Sequence, residues 1–346
     1  MVRLTAENRK WWILATMTGA VSMLFLNETV VSVALPAIQR DLHMSPTGLQ
    51  WVVNAYLLAL ASFVALGGRL GDLFGQARIF RLGAVLFVAA SAGCAFAPSA
   101  GWLIVARAVQ GLGAAAMIPA ATAIVINAFD ARERGRAMGI FGGISTLSLA
   151  LGPLVGGLLT QVISWCAVFW VNIPAGLATL ALATVTLPAD EPERGARMDW
   201  RGTLTLVPGL TMIVLGLMQS AQWGWGATAT IVLLAAGGAL IAAFCFIEPR
   251  RRSPLVQLRL FRNRNFSADN AVLGIVQFAL VGLTMFMAIY VQELLGFGPI
   301  FAGLSLLPVT VPVLLLGPVA GRMYDRIGPR GLVAAGAALL LSLIHI

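Results

Sequence analysis

Apolar residues run along this chain in blocks of about twenty, parted by short polar stretches. Coiled as a helix, a block of that length crosses the ~30 Å hydrocarbon core of a bilayer. The pattern predicts spans over Trp12–Leu35, Leu49–Gly68, Ile79–Ala97, Leu103–Ile126, Gly135–Thr160 and Phe169–Leu187. It predicts further spans over Thr203–Ser220, Ala227–Ile247, Phe266–Gln292 and Ala302–Ala320, and another beginning near Gly331. Pro and Gly punctuate many of them, as neighbouring membrane helices allow. The expected fold class is an all-α polytopic membrane protein.

Composition agrees: 59% of the 346 residues are hydrophobic and 11% charged, against roughly 25% charged in soluble domains. The net charge of +9 would suit a nucleic-acid partner, but its placement argues for a lipid bilayer instead. Apart from Arg40 and Arg107, the 23 basic residues all precede the first span or fall in every second loop, which leaves 21 on one side. By the positive-inside rule those loops and the N-terminus are cytoplasmic. Cys94, Cys166 and Cys245 read as small apolar residues of helices, and His43 and His345 lack metal-ligand spacing.

A short pattern occurs twice. Gly68-Arg69-Leu70-Gly71-Asp72-Leu73-Phe74-Gly75 follows the second span, and Gly321-Arg322-Met323-Tyr324-Asp325-Arg326-Ile327-Gly328 follows the tenth. Internal repeats at matching topological positions mark secondary transporters, whose halves rock about a central site. Equating the two copies divides the chain into a six-helix N-terminal bundle (residues 1–187), a loop with two inserted helices and a linker (188–265), and the start of a second bundle (266–346). The second bundle is expected to be incomplete. LSLIHI stops inside an apolar run.

The motifs resemble the major facilitator superfamily, and within it the fourteen-span drug:proton antiporters. GRLGDLFGQAR at Gly68–Arg78 is similar to the loop motif between spans two and three, with Leu73, Gln76 and Ala77 where basic residues are usual. LIVARAVQGLGAA at Leu103–Ala115 resembles the span-four motif, with Arg107, Gln110 and Gly111 in place. LALGPLVGGLL resembles the span-five antiporter motif, carrying Gly152, Pro153, Gly156 and Gly157. NETVVSVALP resembles the first-span motif, but the usual acid falls at Asn27 and the carboxylate stands at Glu28. WCAVFWVNIPAG resembles the opening of span six without its usual Arg. Fourteen spans would imply on the order of 100 residues beyond these.

The resemblance implies an exporter of small lipophilic or cationic substrates in the bacterial cytoplasmic membrane, driven by the proton gradient without a cofactor; the sequence names no periplasmic adaptor. A specific metabolite such as a siderophore, sugar or lipid is the other cargo the scaffold serves. No H-E-x-x-H, G-x-S-x-G or Walker lysine motif speaks for an enzyme, and no filter or charged ring for a channel.

Glu28 is costly in a bilayer and lies roughly 12 Å below the outer end of its helix; Arg107 lies about 8 Å down span four. The two can meet at similar depth. They form either an ion pair that pins two helices or a carboxylate that exchanges a proton for a substrate. Asn54, Tyr56 and Gln277 are candidate cavity residues, and Asp269 and Glu293 sit near opposite ends of span nine. The glycines of span five permit close helix packing. Asp72, with Gly68, Gly75 and Arg78, is expected to latch onto the positive N-terminus of the eleventh helix. Asp325, with Gly321, Arg326 and Gly328, is expected to face the start of span five.

Overall fold

The computed structural model describes residues 6–190, 198–251, 253–298, 301, 304–305 and 307–342, and among them all regular structure is helical. The helices are α1 (Ala6–Asp41), α2 (Pro46–Phe74), α3 (Gln76–Ala95), α4 (Ala100–Ala128), α5 (Arg134–Val162), α6 (Ala167–Trp170) and α7 (Asn172–Thr186). They continue as α8 (Trp200–Trp223), α9 (Thr228–Ile247), α10 (Arg264–Ile289), α11 (Leu307–Ile327) and α12 (Pro329–Ser342). Eight stretches among the described residues are long and apolar enough to cross a membrane.

Local chemistry sets the ends. Ser45 caps α2 by accepting from the Gly48 N–H at 3.1 Å, with Pro46 in the first turn, where no donor is needed. Ser99 caps α4 through the Trp102 N–H. One boundary differs from the sequence expectation. Helix α1 runs through Pro36 to Asp41, because neighbouring helices tolerate a proline that water-exposed helices do not. The sixth span runs over Ala167–Thr186, with Val171, at φ −61° and ψ −27°, helical between α6 and α7; Pro174 has no N–H for the Trp170 carbonyl one turn earlier.

Helix α1 packs on α5 and α7, while α4 packs between α2 and α3. One core gathers Met17, Leu24, Phe80, Phe87, Met117 and Phe129 near the arginine-rich end. A second gathers Val30, Val31, Val52, Leu103 and Phe169 towards the other end. The α8–α9 hairpin leans on α2, with Leu206, Phe244 and Leu255 closing over Ala65. Helix α10 is exposed along most of its length, with Phe278 84% exposed.

Helix α11 meets α5 backbone to backbone. A Cβ on Gly139 would stand 2.4 Å from the Gly317 carbonyl oxygen, and one on Gly321 would stand 2.2 Å from that of Gly135. Nothing larger than glycine fits this crossing, the small-residue packing that membrane helices use. Because Gly135 is in the first turn of α5, the segment after Gly321 that holds Asp325 ends beside the start of α5.

The repeated motif folds the same way twice. Gly75, between α2 and α3, has φ +98°, and Gly328, between α11 and α12, has φ +78°. Each donates its N–H four residues back, Gly75 to Gly71 at 2.9 Å and Gly328 to Tyr324 at 3.0 Å. Both turns need the left-handed region that glycine enters freely.

A candidate coupling site in the N-terminal bundle

Arg107, on α4, is fully buried. Its Nε donates to the Val52 carbonyl of α2 at 2.8 Å and its Nη1 to Gln110 Oε1 at 2.5 Å. Its guanidinium lies 4.4 Å from the centre of the Tyr56 ring, a cation–π contact that gains strength away from water. Gln110 Nε2 in turn donates to Ser91 Oγ of α3 at 2.7 Å and to Asn27 Oδ1 of α1 at 3.3 Å. Asn172 Nδ2, at the start of α7, donates to the same Asn27 oxygen at 2.9 Å. One polar chain thus ties α1, α2, α3, α4 and α7 together inside an apolar bundle. A buried network of this kind specifies one arrangement of its helices.

The chain is not saturated. Asn27 Nδ2, Asn172 Oδ1 and Arg107 Nη2 are buried without a hydrogen-bond partner among the described residues. Other buried polar atoms lack partners among these residues as well, Ser62 Oγ and Ser145 Oγ among them; here three such atoms belong to one connected chain.

Glu28 stands beside this chain, half-buried. Of the two arrangements open to Glu28 and Arg107, the ion pair does not form among the described residues; the guanidinium is engaged by Gln110, Val52 and Tyr56. Arg107 still acts on Glu28 electrostatically. Gln110 wins the contact because it lies three residues along the same helix face, where side chains meet without bringing two helices closer. The carboxylate is left free of partners among the described residues.

On the adjoining face of α1, Thr29 Oγ1 donates to the Leu149 carbonyl of α5 at 2.8 Å. A Cβ on Gly152 would fall 1.7 Å from that hydroxyl oxygen, and one on Gly156 would fall 2.7 Å from the Val30 carbonyl oxygen. The glycines beside Pro153 and Gly157 therefore seat α5 against the residues that flank Glu28.

The other sequence candidates lie apart from this cluster. Asn54 is half-buried on α2, and Gln277 and Asp269 are exposed on α10. The side chains of Glu293 and Asp325 lie outside those described. Arg326 is exposed near the end of α11.

At the arginine-rich end, Gly68 faces Pro119 of α4. The half-exposed Asp72 accepts from Gln76 Nε2 at 2.9 Å and lies 3.8 Å from Arg69 Nη1. The start of α3 is capped by a residue that the sequence reading missed. Asp190, just beyond α7, accepts the Ala77 N–H at 2.8 Å and the Arg78 N–H at 2.9 Å. A Cβ on Gly75 would strike the same carboxylate. A cleft of about 610 Å³ opens here between Gly71, Asp72, Gln76, Asn127 and Asp190. Asn172 and Ser91 were also unassigned; a polar side chain inside an apolar run was the signal each carried.

The sequence pattern described as Major Facilitator Superfamily matches residues 17–346. The tetracenomycin C resistance and export protein of Streptomyces glaucescens is 36% identical over 334 residues, which cover 96% of this chain and 62% of that protein. The puromycin resistance protein pur8 of Streptomyces alboniger is 39% identical over 347 residues, 97% of this chain and 69% of that protein. The multidrug resistance protein Stp of Mycobacterium tuberculosis is 36% identical over 320 residues, 92% of this chain and 60% of that protein. The chain thus spans between 60% and 69% of the length of these relatives. Among solved structures, the proton:xylose symporter XylE superposes with a TM-score of 0.65 at 16% identity, over 95% of this chain and 72% of that one. With the family pattern running through nearly every span, this multi-pass membrane chain belongs to the Major Facilitator Superfamily.

Proposed function

We propose that the protein exports small lipophilic or cationic compounds across the cytoplasmic membrane in exchange for protons, on the plan of the fourteen-span drug:proton antiporters. The observation that carries this reading is a partner-free carboxylate, Glu28, beside a buried network centred on Arg107. An intramembrane acid is a functional site by default. A carboxylate held by no fixed partner can take a proton when substrate leaves and release it when substrate enters. Arg107, itself locked in place, supplies a fixed positive charge that biases this exchange.

Alternating access also needs a half that moves. The division into an N-terminal bundle (1–187), an inserted helix pair with its linker (188–265) and the start of a second bundle (266–346) is supported by the twin turns at Gly75 and Gly328. The seam of α5 on α11 is where the two bundles would rock. Asp72 and Asp325 would latch this end when it closes, each near a helix start. We place the arginine-rich end and the N-terminus in the cytoplasm, on the charge distribution.

The names of the relatives, tetracenomycin C and puromycin resistance among them, support compounds of antibiotic type as cargo. Growth inhibition of a drug-sensitive strain expressing the gene, against a panel of lipophilic cations and neutral antibiotics, tests the reading. Resistance across several unrelated compounds, lost on collapse of the proton gradient, supports multidrug antiport. Resistance to one compound class identifies a dedicated exporter. No change in resistance to any compound removes the reading.

A further inference from the structure

Far from Glu28, two more carboxylates meet with no donor between them. Asp199 caps α8, its Oδ1 accepting from the Gly202 N–H at 3.0 Å, and the Arg251 Nε lies 3.5 Å from that same oxygen. Glu248, in the short turn Glu248–Arg250 that follows α9, is fully buried. Its Oε1 accepts from the Val256 N–H at 2.7 Å. The remaining oxygens, Asp199 Oδ2 and Glu248 Oε2, are buried and without a hydrogen-bond partner among the described residues. They converge on one point: a Cβ on Gly202 would lie 3.0 Å from the first and 2.7 Å from the second.

Two buried acceptors cannot face each other as two negative charges. Arg251 offsets one charge, and it does so at the far oxygen of Asp199. A single proton between Oδ2 and Oε2 turns one acceptor into a donor and completes both. We propose that Asp199 and Glu248 share one proton at neutral pH, and that this proton clasps the linker after α9, through Val256, to the start of α8. The inference concerns a site separate from the coupling cluster and does not depend on the transport reading.

The charged and titratable groups around the clasp are few. Arg250 is turned away, its guanidinium bonded to the Phe246 carbonyl and stacked on the Phe246 ring at 3.9 Å. Arg201 on α8, Cys245 on α9, and Arg259 and Arg262 on the next short turn are exposed. Helix α2, which packs on α8, brings Arg69 and Asp72, which lie 3.8 Å from each other. Leu255, beside Val256, packs against Leu206 and Phe244, so the clasp also seals that small core. Loss of the proton leaves two charges in contact, and the linker that leads to α10 is released.

Infrared spectroscopy of the purified protein in heavy water tests the proton. Wild type at pH 7 should show a protonated-carboxyl band that disappears in both Glu248→Gln and Asp199→Asn. Trypsin cleavage at Arg251 and Arg259, read by mass spectrometry and normalised to a free peptide, tests the clasp. In wild type the cleavage rate should rise between pH 7 and pH 9, by up to about tenfold per unit, the limit for release of one proton. In Glu248→Gln the amide donates to Asp199 Oδ2 without needing a proton, so cleavage should be slow and independent of pH. Asp199→Asn gives the same result from the other side and serves if the first variant does not fold. A wild type without the band, a band untouched by either variant, or cleavage that rises with pH equally in wild type and both amides overturns the proposal.

Discussion

Thr29 donates its hydroxyl to the carbonyl of Leu149, the very carbonyl that Pro153 cannot serve, across a gap of 2.8 Å. In an unbroken helix the residue four positions on would donate there, and that residue is a proline. Helix α1 repairs a defect in α5, and it does so one residue from Glu28. Thr29→Val keeps the shape and removes the donor, leaving a carbonyl unpaired in an apolar setting. We expect it to cost about 1–3 kcal/mol, while Thr29→Ser stays near wild type. Thermal unfolding in detergent compares them; equal midpoints for Val and Ser at this position would show that the bond contributes nothing.

The same contact predicts a coupled pair. Gly152→Ala drives a methyl into the Thr29 hydroxyl and should destabilise strongly. Thr29→Ala beside it removes the nearer clash but keeps its own Cβ, 2.6 Å from the added methyl, so the relief is partial. A double-mutant cycle should return a coupling of about 0.5–3 kcal/mol, with the double variant more stable than Gly152→Ala alone. Strict additivity would sink the packing account.

Glu28→Gln should fold and insert normally yet lose efflux driven by a pH gradient, measured with a fluorescent cation in inverted vesicles. The Asn27 oxygen already accepts from Gln110 and Asn172, so an aspartate there keeps both bonds. Asn27→Asp in the Glu28→Gln background should therefore restore part of the coupled efflux, with the acid moved one residue. Full proton-driven efflux by Glu28→Gln alone would take the coupling role away from this position.

Asp190→Ala strips two N–H groups at the start of α3 of their acceptor. Loss of a helix cap costs about 0.5–2 kcal/mol, and Asp190→Asn, which keeps one oxygen, should cost less. Hydrogen exchange at Ala77 and Arg78 reads the effect locally; unchanged protection in Asp190→Ala would refute the cap.

Gly139→Val should force α5 from α11, whereas Gly142→Val, three residues away on an open face with nothing within 4 Å, should not. Disulfide trapping between cysteines placed on α5 and α11 distinguishes them. Equal trapping yields for the two valines would count against the close seam.

The sequence made the spans legible because bilayer thickness imposes a length that few other structures share. The motif turns were legible too, since Gly75 and Gly328 sit at the same spacing from Asp72 and Asp325. Other features depended on partners distant in the chain. Asp190 caps a helix more than a hundred residues earlier, and no local pattern marks it. Glu28 and Arg107 were matched by depth alone, which ignores that Gln110 competes for the guanidinium from the same helix.

The crossing of α5 and α11 has a consequence for how such a protein can diverge. Where glycines meet main chain to main chain, the joint is shaped by atoms common to every residue, not by a particular set of side groups. Substitutions elsewhere on the two helices leave the joint untouched, provided the glycines stay. A descendant can then refashion the faces that touch its cargo step by step, while inheriting the same pivot.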